Sequence, residues 1–304
     1  MRPSPLFLLV ALGLVACHKD EDKPPPSPAA GKHFRAVWGS GPADVWAVGD
    51  KGVILHFDGK AWAESPSGTD QSLTSVTGTG PTNVYAASEK GLVFHWDGKA
   101  WSVVSSEPGS TLLALWASGP DDVWAVGVEE AKEAGCVRHW TGSKWESQEI
   151  PGSSSLWGVA GTGPGDVWMV GTNSAGQGYV IQGDGKKFDA NGYKGSPARA
   201  VWAIAPNDVW VAPYQGALQH WNGKDWSPGQ TPDGPWFRMA GSGPDDVWAV
   251  GVDGLAAHLH GGAWTKVPTA SKEIAFGVWS AGPSQAWLVG HGGMLLQWDG
   301  TAWK

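Results

Sequence analysis

From residue 33 onward the apolar and polar positions of this chain fall into a pattern that repeats. Short runs in which every residue is apolar, such as Val45-Trp46-Ala47-Val48, alternate with turn-forming stretches rich in Gly, Asp and Pro. The run returns as Val123-Trp124-Ala125-Val126, Val167-Trp168-Met169-Val170, Val209-Trp210-Val211-Ala212, Val247-Trp248-Ala249-Val250 and Ala286-Trp287-Leu288-Val289. Four consecutive apolar residues bounded by turns predict a strand buried on both faces, because a strand with one wet face alternates. Three further strand-like pieces flank each run. In the first unit they are Ala36-Val37-Trp38-Gly39 before it (strand a), Val53-Ile54-Leu55-His56-Phe57 after it (strand c), and a last strand, d, starting at Trp62. The doubly apolar run is then strand b. Ser40-Gly41-Pro42-Ala43-Asp44 and Asp58-Gly59-Lys60 supply turns a–b and c–d.

Aligned on the proline of the a–b turn, the units fall at Pro42, Pro81, Pro120, Pro164, Pro206, Pro244 and Pro283, with spacings of 39, 39, 44, 42, 38 and 39 residues. A period near 40 with four strands per unit is that of propeller blades. The prediction is an all-β fold, a seven-bladed β-propeller of four-stranded blades over residues 33–304. Blades packed on each other explain why strand b carries no polar face. An open stack needs polar caps at its ends, yet the first and last units are as apolar as the middle ones, so a closed ring is expected. The chain enters near a strand a and stops at Trp303-Lys304, early in a strand d, so no blade is expected to be shared between the termini.

Composition adds two constraints. The 45 glycines and 22 tryptophans in 304 residues suit many tight turns and bulky packing between short strands. A net charge of -8 with only five arginines (Arg2, Arg35, Arg138, Arg199 and Arg238) argues against a nucleic-acid partner, which needs clustered cations.

The first 32 residues differ from the rest. Arg2 precedes an apolar run, Leu6 to Ala16, too short to span a bilayer, which is the pattern of an export signal. It ends in Leu14-Val15-Ala16-Cys17, which resembles the lipobox of bacterial lipoproteins. That resemblance implies cleavage before Cys17 and a lipid on its thiol, so residues 1–16 would be a signal peptide. His18 in place of a retention aspartate implies lipid anchoring at the outer membrane, on its periplasmic or outer side. Residues 17–32 continue as a charged and proline-rich tether expected to be solvated. With Cys17 acylated, Cys136 would be a partly buried free thiol.

The c–d turns carry a second resemblance. His56-Phe57-Asp58-Gly59-Lys60-Ala61-Trp62, His95-Trp96-Asp97-Gly98-Lys99-Ala100-Trp101 and Gln297-Trp298-Asp299-Gly300-Thr301-Ala302-Trp303 resemble shortened Asp-box turns of sialidase-type repeats. Together with Val45-Trp46-Ala47-Val48-Gly49-Asp50-Lys51-Gly52 they are similar to the repeat core of photosystem II assembly factor-like propellers. Thr141, Asn222 and His260 depart from the aspartate, and Phe188 from the tryptophan. The resemblance implies a structural role for the aspartate, which would accept backbone N–H groups. It implies a propeller fold but no particular activity.

Two sets of titratable residues invite a functional reading. His56, His95, His139, His220 and His258 recur in strand c, about 10 Å (two strand spacings) outside the inner strand, so they diverge between blades and no metal site is expected. Asp44, Asp122, Asp166, Asp208 and Asp246, with Asn83 in the second unit, precede strand b and suit turn hydrogen bonds. No cofactor and no catalytic residue is predicted. A sialidase-like hydrolase would need an arginine triad and a nucleophilic tyrosine with an acidic partner, and no such acidic pair accompanies the arginines. Binding residues are expected where the units diverge, in the b–c and d–a loops, which should share one face of the ring. Arg35, Trp157, Arg199, Phe237 and Phe276 hold one repeat position, seven residues before the proline, and should rim the channel, with Arg238 one position further on. Adding Tyr214 and Trp236, the candidate contacts are Arg35, Trp157, Arg199, Tyr214, Trp236, Phe237 and Arg238. Tyr193 falls on the same face. Aromatics beside arginines suit a protein or glycan ligand. The function expected is a lipid-anchored binding protein, with a sialidase-like hydrolase or an assembly factor for an envelope complex as alternatives.

Overall fold

A computed structural model describes residues 27–304. They form seven antiparallel sheets arranged as the blades of a propeller. Each blade runs a-b-c-d from the axis outward, the inner strands being Phe34–Gly41, Leu73–Gly80, Ser110–Gly119, Ser153–Gly163, Ala198–Ala205, Trp236–Gly243 and Ala275–Gly282. Six sheets have four full strands. In blade 7 the outermost strand is reduced to a bridge between Trp298 and Trp303, with Gln297 and Lys304 exchanging backbone hydrogen bonds of 2.9 Å. Strand a is longer than its apolar pattern indicates. Register shifts at Phe34/Ala36 and Gly39/Gly41 recur in most blades, so bulges extend the pairing into positions where the period-2 pattern is broken.

The core consists of seven wedges, one between each pair of neighbouring blades. Strand b supplies both sides: in blade 1, Trp46 and Val48 pack on blade 2, while Val45 and Ala47 pack on Trp287 and Val289 of blade 7. That last wedge closes the ring by face-to-face packing, and among the described residues blades 1 and 7 exchange no strand.

A second device runs around the axis. Near the far end of the channel Trp38, Trp116, Trp202 and Trp279 each lie over a glycine of the following blade: Gly78, Gly161, Gly241 and, across the closure, Gly39. A Cβ on Gly39 would sit 2.7 Å from the Trp279 ring, and one on Gly78 2.7 Å from Trp38. Where the preceding blade offers Thr77, Ala160 or Ala240 instead, the position holds Ala117, Ala203 or Ser280. Large ring and missing side chain are thus matched blade by blade, which is what dense packing demands.

Residues Ser27–Lys32 make a turn on the seam between blades 1 and 7. Ala29 is buried in the closing wedge, and the Gly293 N–H donates to the Lys32 carbonyl at 2.7 Å. The end of the segment expected to be solvated is therefore packed, because its backbone finds partners on blade 7. Among the described residues no helix is long and apolar enough to cross a membrane.

Candidate binding site at the channel mouth

The b–c and d–a loops do share one face. The first residue after strand b (Asp50, Glu89, Glu130, Ser174, Tyr214 and His291) donates its N–H to a carbonyl in the segment entering strand a (His33, Ser72, Gly109, Gly152, Pro197 and Ile274), at 2.7 to 3.0 Å. Two concentric sets of side chains result: one from the entries of strand a, the other from the exits of strand b.

The inner set surrounds a cavity of about 480 Å³ at the channel mouth, lined by Arg35, Thr74, Leu113, Trp157, Arg199, Phe237 and Phe276, with Arg238 and His291. The first seven are the same position in the seven blades. Their equivalence is fixed by register: the next residue in each, Ala36, Ser75, Ala114, Gly158, Ala200, Arg238 and Gly277, pairs with the corresponding end of strand b. Six of those seven are Gly, Ala or Ser, which leaves the channel open. Blade 6 alone places a long side chain there, the Arg238 guanidinium, which borders both the mouth and the narrower channel of about 220 Å³ below it.

The three arginines of the mouth are not alike. Arg35 is paired, its Nε donating to the Asp50 carboxylate at 2.5 Å. Arg199 is sandwiched by rings, its guanidinium carbon 4.5 Å from the centre of Phe237, 4.6 Å from Tyr214 and 5.7 Å from Trp157. Cation–π contact holds the plane of the group without using its N–H edge, and its buried Nε has no acceptor among the described residues. Arg238 forms neither an ion pair nor a hydrogen bond among the described residues. Desolvation pushes both the Arg238 and the Arg199 guanidinium below the ordinary arginine value, with the weak influence of Tyr214 opposing it at Arg199. The aromatic wall continues beyond them: Phe237 meets Phe276 edge-on at 5.3 Å, Phe276 meets His291 at 4.8 Å, and His291 meets His33 at 4.9 Å. Blades 4 to 7 thus present an arc of rings and guanidinium groups, and none of the residues lining the cavity is acidic.

One sequence-based candidate is corrected. Trp236 is fully buried in the wedge between blades 5 and 6 and cannot touch a ligand, whereas Phe237, the bulged residue between Trp236 and Arg238, lines the mouth. Tyr193, expected on the variable face, is likewise core, packed edge-on against Trp226 at 5.4 Å, and its hydroxyl is pushed up to about 12 by burial. Tyr214 is 45% exposed at the rim. Cys17 lies outside the described residues. Cys136 is a buried free thiol, raised by desolvation. The sequence reading omitted His291 and Asp50. Both are the first residue of a b–c loop, and the position is recognisable as the one that directly follows strand b.

In five of the seven blades the recurring histidine pairs with the residue that opens strand b. In blade 6 the His258 ring stacks on Trp248 at 3.9 Å, its Nε2 meets Asp246 Oδ1 at 2.6 Å, and Asp246 Oδ2 accepts from Ser242 and Ser280 at 2.6 Å. His56 with Asp44, His139 with Asp122 and His220 with Asp208 repeat it at 2.5 to 2.8 Å, and Asn83 serves His95 in blade 2. Among the described residues no group of three or more His, Cys, Asp or Glu could hold a metal. At the c–d turns Asp58, Asp97, Asp184, Asp299 and Asn222 each accept two backbone N–H groups. Where His260 replaces that residue, Asp245 of the neighbouring turn accepts from Gly262 instead.

No family model and no curated protein sequence matches this chain. Solved structures do. YCF48 bound to a D1 peptide superposes with a TM-score of 0.67 at 16% identity, covering 90% of this chain and 93% of that one. YCF48 from Cyanidioschyzon merolae gives 0.69 at 16%, covering 90% and 97%. Virginiamycin B lyase from Staphylococcus aureus gives 0.71 at 11%, covering 86% and 92%. At these identities the shared property is the propeller fold.

Proposed function

We propose that this chain is a non-enzymatic binding protein, held at the outer membrane by a lipid on Cys17, whose channel-mouth face engages a protein partner of the cell envelope. One observation carries the reading. Seven equivalent positions on a repetitive scaffold hold Arg, Thr, Leu, Trp, Arg, Phe and Phe, and they surround a single open cavity. Such divergence at one position of a regular frame, around one cavity, is the pattern of a recognition surface. Among the described residues the cavity lining holds no acid, which supports binding over glycoside hydrolysis, a reaction that uses an acid and a base. YCF48, with the same architecture, has been solved with a peptide bound, which supports a polypeptide ligand here.

A photo-crosslinking amino acid at Leu113, on the mouth, and at Pro244, in an a–b turn on the opposite face, tests the proposal in cells. Capture of one stoichiometric partner from Leu113 and none from Pro244 is expected. Equal capture from both positions, or from neither, sinks it. The ring faces of Trp157 and Phe237 also favour a second reading, a glycan, for which binding to purified envelope polysaccharide in place of protein capture would be the outcome.

A further inference from the structure

We propose that the base of the channel mouth is a carboxylate-binding site, in which Arg238 takes the anionic group of a small ligand while the aromatic arc holds its apolar body. The inference rests on the mouth being the binding face and adds the chemical class of what enters it.

The position of Arg238 is the first reason. Its six counterparts in the ring are Ala36, Ser75, Ala114, Gly158, Ala200 and Gly277, so packing alone is satisfied by a residue of almost no size. A guanidinium there serves no contact that the other six blades require. It lies half-buried between the mouth and the narrow channel and has no carboxylate partner among the described residues. An unpaired, partly desolvated guanidinium bordering the open mouth is within reach of an anion from solution, and a charge-assisted hydrogen bond replaces the hydration it has lost.

The second reason is the arrangement around it. Arg199 is fixed by three rings with its Nε unsatisfied, whereas Arg35 is already neutralised by Asp50. Arg238 is therefore the one guanidinium of the mouth that neither an acid nor a ring engages among the described residues, in a cavity whose lining holds no acid, on a protein whose net charge is -8. A local positive site on a negative surface draws anions inward and selects them by sign.

The charge and the walls favour a monoanion. Arg238 is the single cation at the base, and its planar fork matches a carboxylate bidentately. A phosphate dianion would leave excess charge against Phe237, Phe276 and Trp157. Those rings instead accommodate a flat or apolar body within about 480 Å³, a volume suited to a small molecule or one terminal residue of a chain.

Fluorine NMR titration of the full-length chain tests this with 4-fluorobenzoate, the neutral isostere 4-fluorobenzamide and 4-fluorophenyl phosphate. The carboxylate is expected to bind at least about tenfold more tightly than either, the size of one charge-assisted hydrogen bond. Arg238→Gln should lose about that factor, Arg238→Lys should retain part of it because the charge stays while the fork is gone, and Lys60→Gln on the opposite face should change nothing. Should Arg238→Gln fail to fold, Arg238→Lys and the benzamide comparison still decide. Equal binding of amide and carboxylate, unchanged binding by a folded Arg238→Gln, or no binding of 4-fluorobenzoate overturns the site. Tighter binding of the phosphate overturns the carboxylate assignment. Benzoate binding without a crosslinked partner would instead refute the protein-partner reading alone, and a crosslinked partner without benzoate binding would refute this inference alone.

Discussion

Trp236 and Phe237 are adjacent residues with opposite fates. One is sealed between blades and the other lines the mouth, because the bulge at Phe237 re-aims its side chain away from the wedge that takes Trp236. Trp236→Ala should therefore destabilise the propeller by about 3–5 kcal/mol, the range for deleting a buried aromatic, while Trp157→Ala should leave chemical denaturation within about 1 kcal/mol and act on ligand binding instead. A denaturation midpoint for Trp236→Ala equal to wild type would contradict its placement in the core. The Asp–His pairs give a second residue-scale expectation. Burial acts to raise Asp44, Asp122 and Asp246, but hydrogen bonds from histidine and serine, with the charge of the histidine, outweigh it and hold all three below the ordinary 3.8. A carboxyl lowered on folding contributes stability above its unfolded value, and that contribution is lost as the pH falls through the lower folded value. The melting temperature should accordingly drop as the pH passes below 3.8. Asp246→Asn, which copies the Asn83–His95 pair of blade 2, should drop less steeply over the same range. Identical acid profiles for the variant and wild type would show that Asp246 contributes nothing to it.

Between elements, the decisive contact is that of a strand-a tryptophan on the glycine of the next blade. Gly39→Ala would force a methyl to 2.7 Å from the Trp279 ring and 2.8 Å from the Asp44 carbonyl, and overpacking of this kind costs about 1–3 kcal/mol. Part of that cost should disappear when Trp279→Ala is introduced as well, giving a coupling of about 1 kcal/mol in a double-mutant cycle. Strict additivity would mean that blades 7 and 1 do not meet there in solution. The repeat made every strand b legible, since four apolar residues in a row have one architectural use. Strand a extends beyond its apolar pattern, because its bulged ends carry glycines and polar residues that interrupt the period.

For the molecule as a whole, the proposed anchor is tested by Cys17→Ala, which should move the propeller from the membrane to the soluble fraction; unchanged fractionation would remove the lipid from the proposal. The blade count, closure by apolar end units and the seven equivalent mouth positions were all contained in the sequence, because repetition converts one unit's pattern into a statement about the ring. Tertiary structure alone decided which members of that ring are free. Arg35 is spent on Asp50, Arg199 is clasped by rings from three different blades, and His291, directly after strand b, joins the mouth through its contact with Phe276. Periodicity specifies where a backbone position falls within a blade. The partners a side chain meets are set by which blade stands next to it, and that neighbour lies about 40 residues away along the chain.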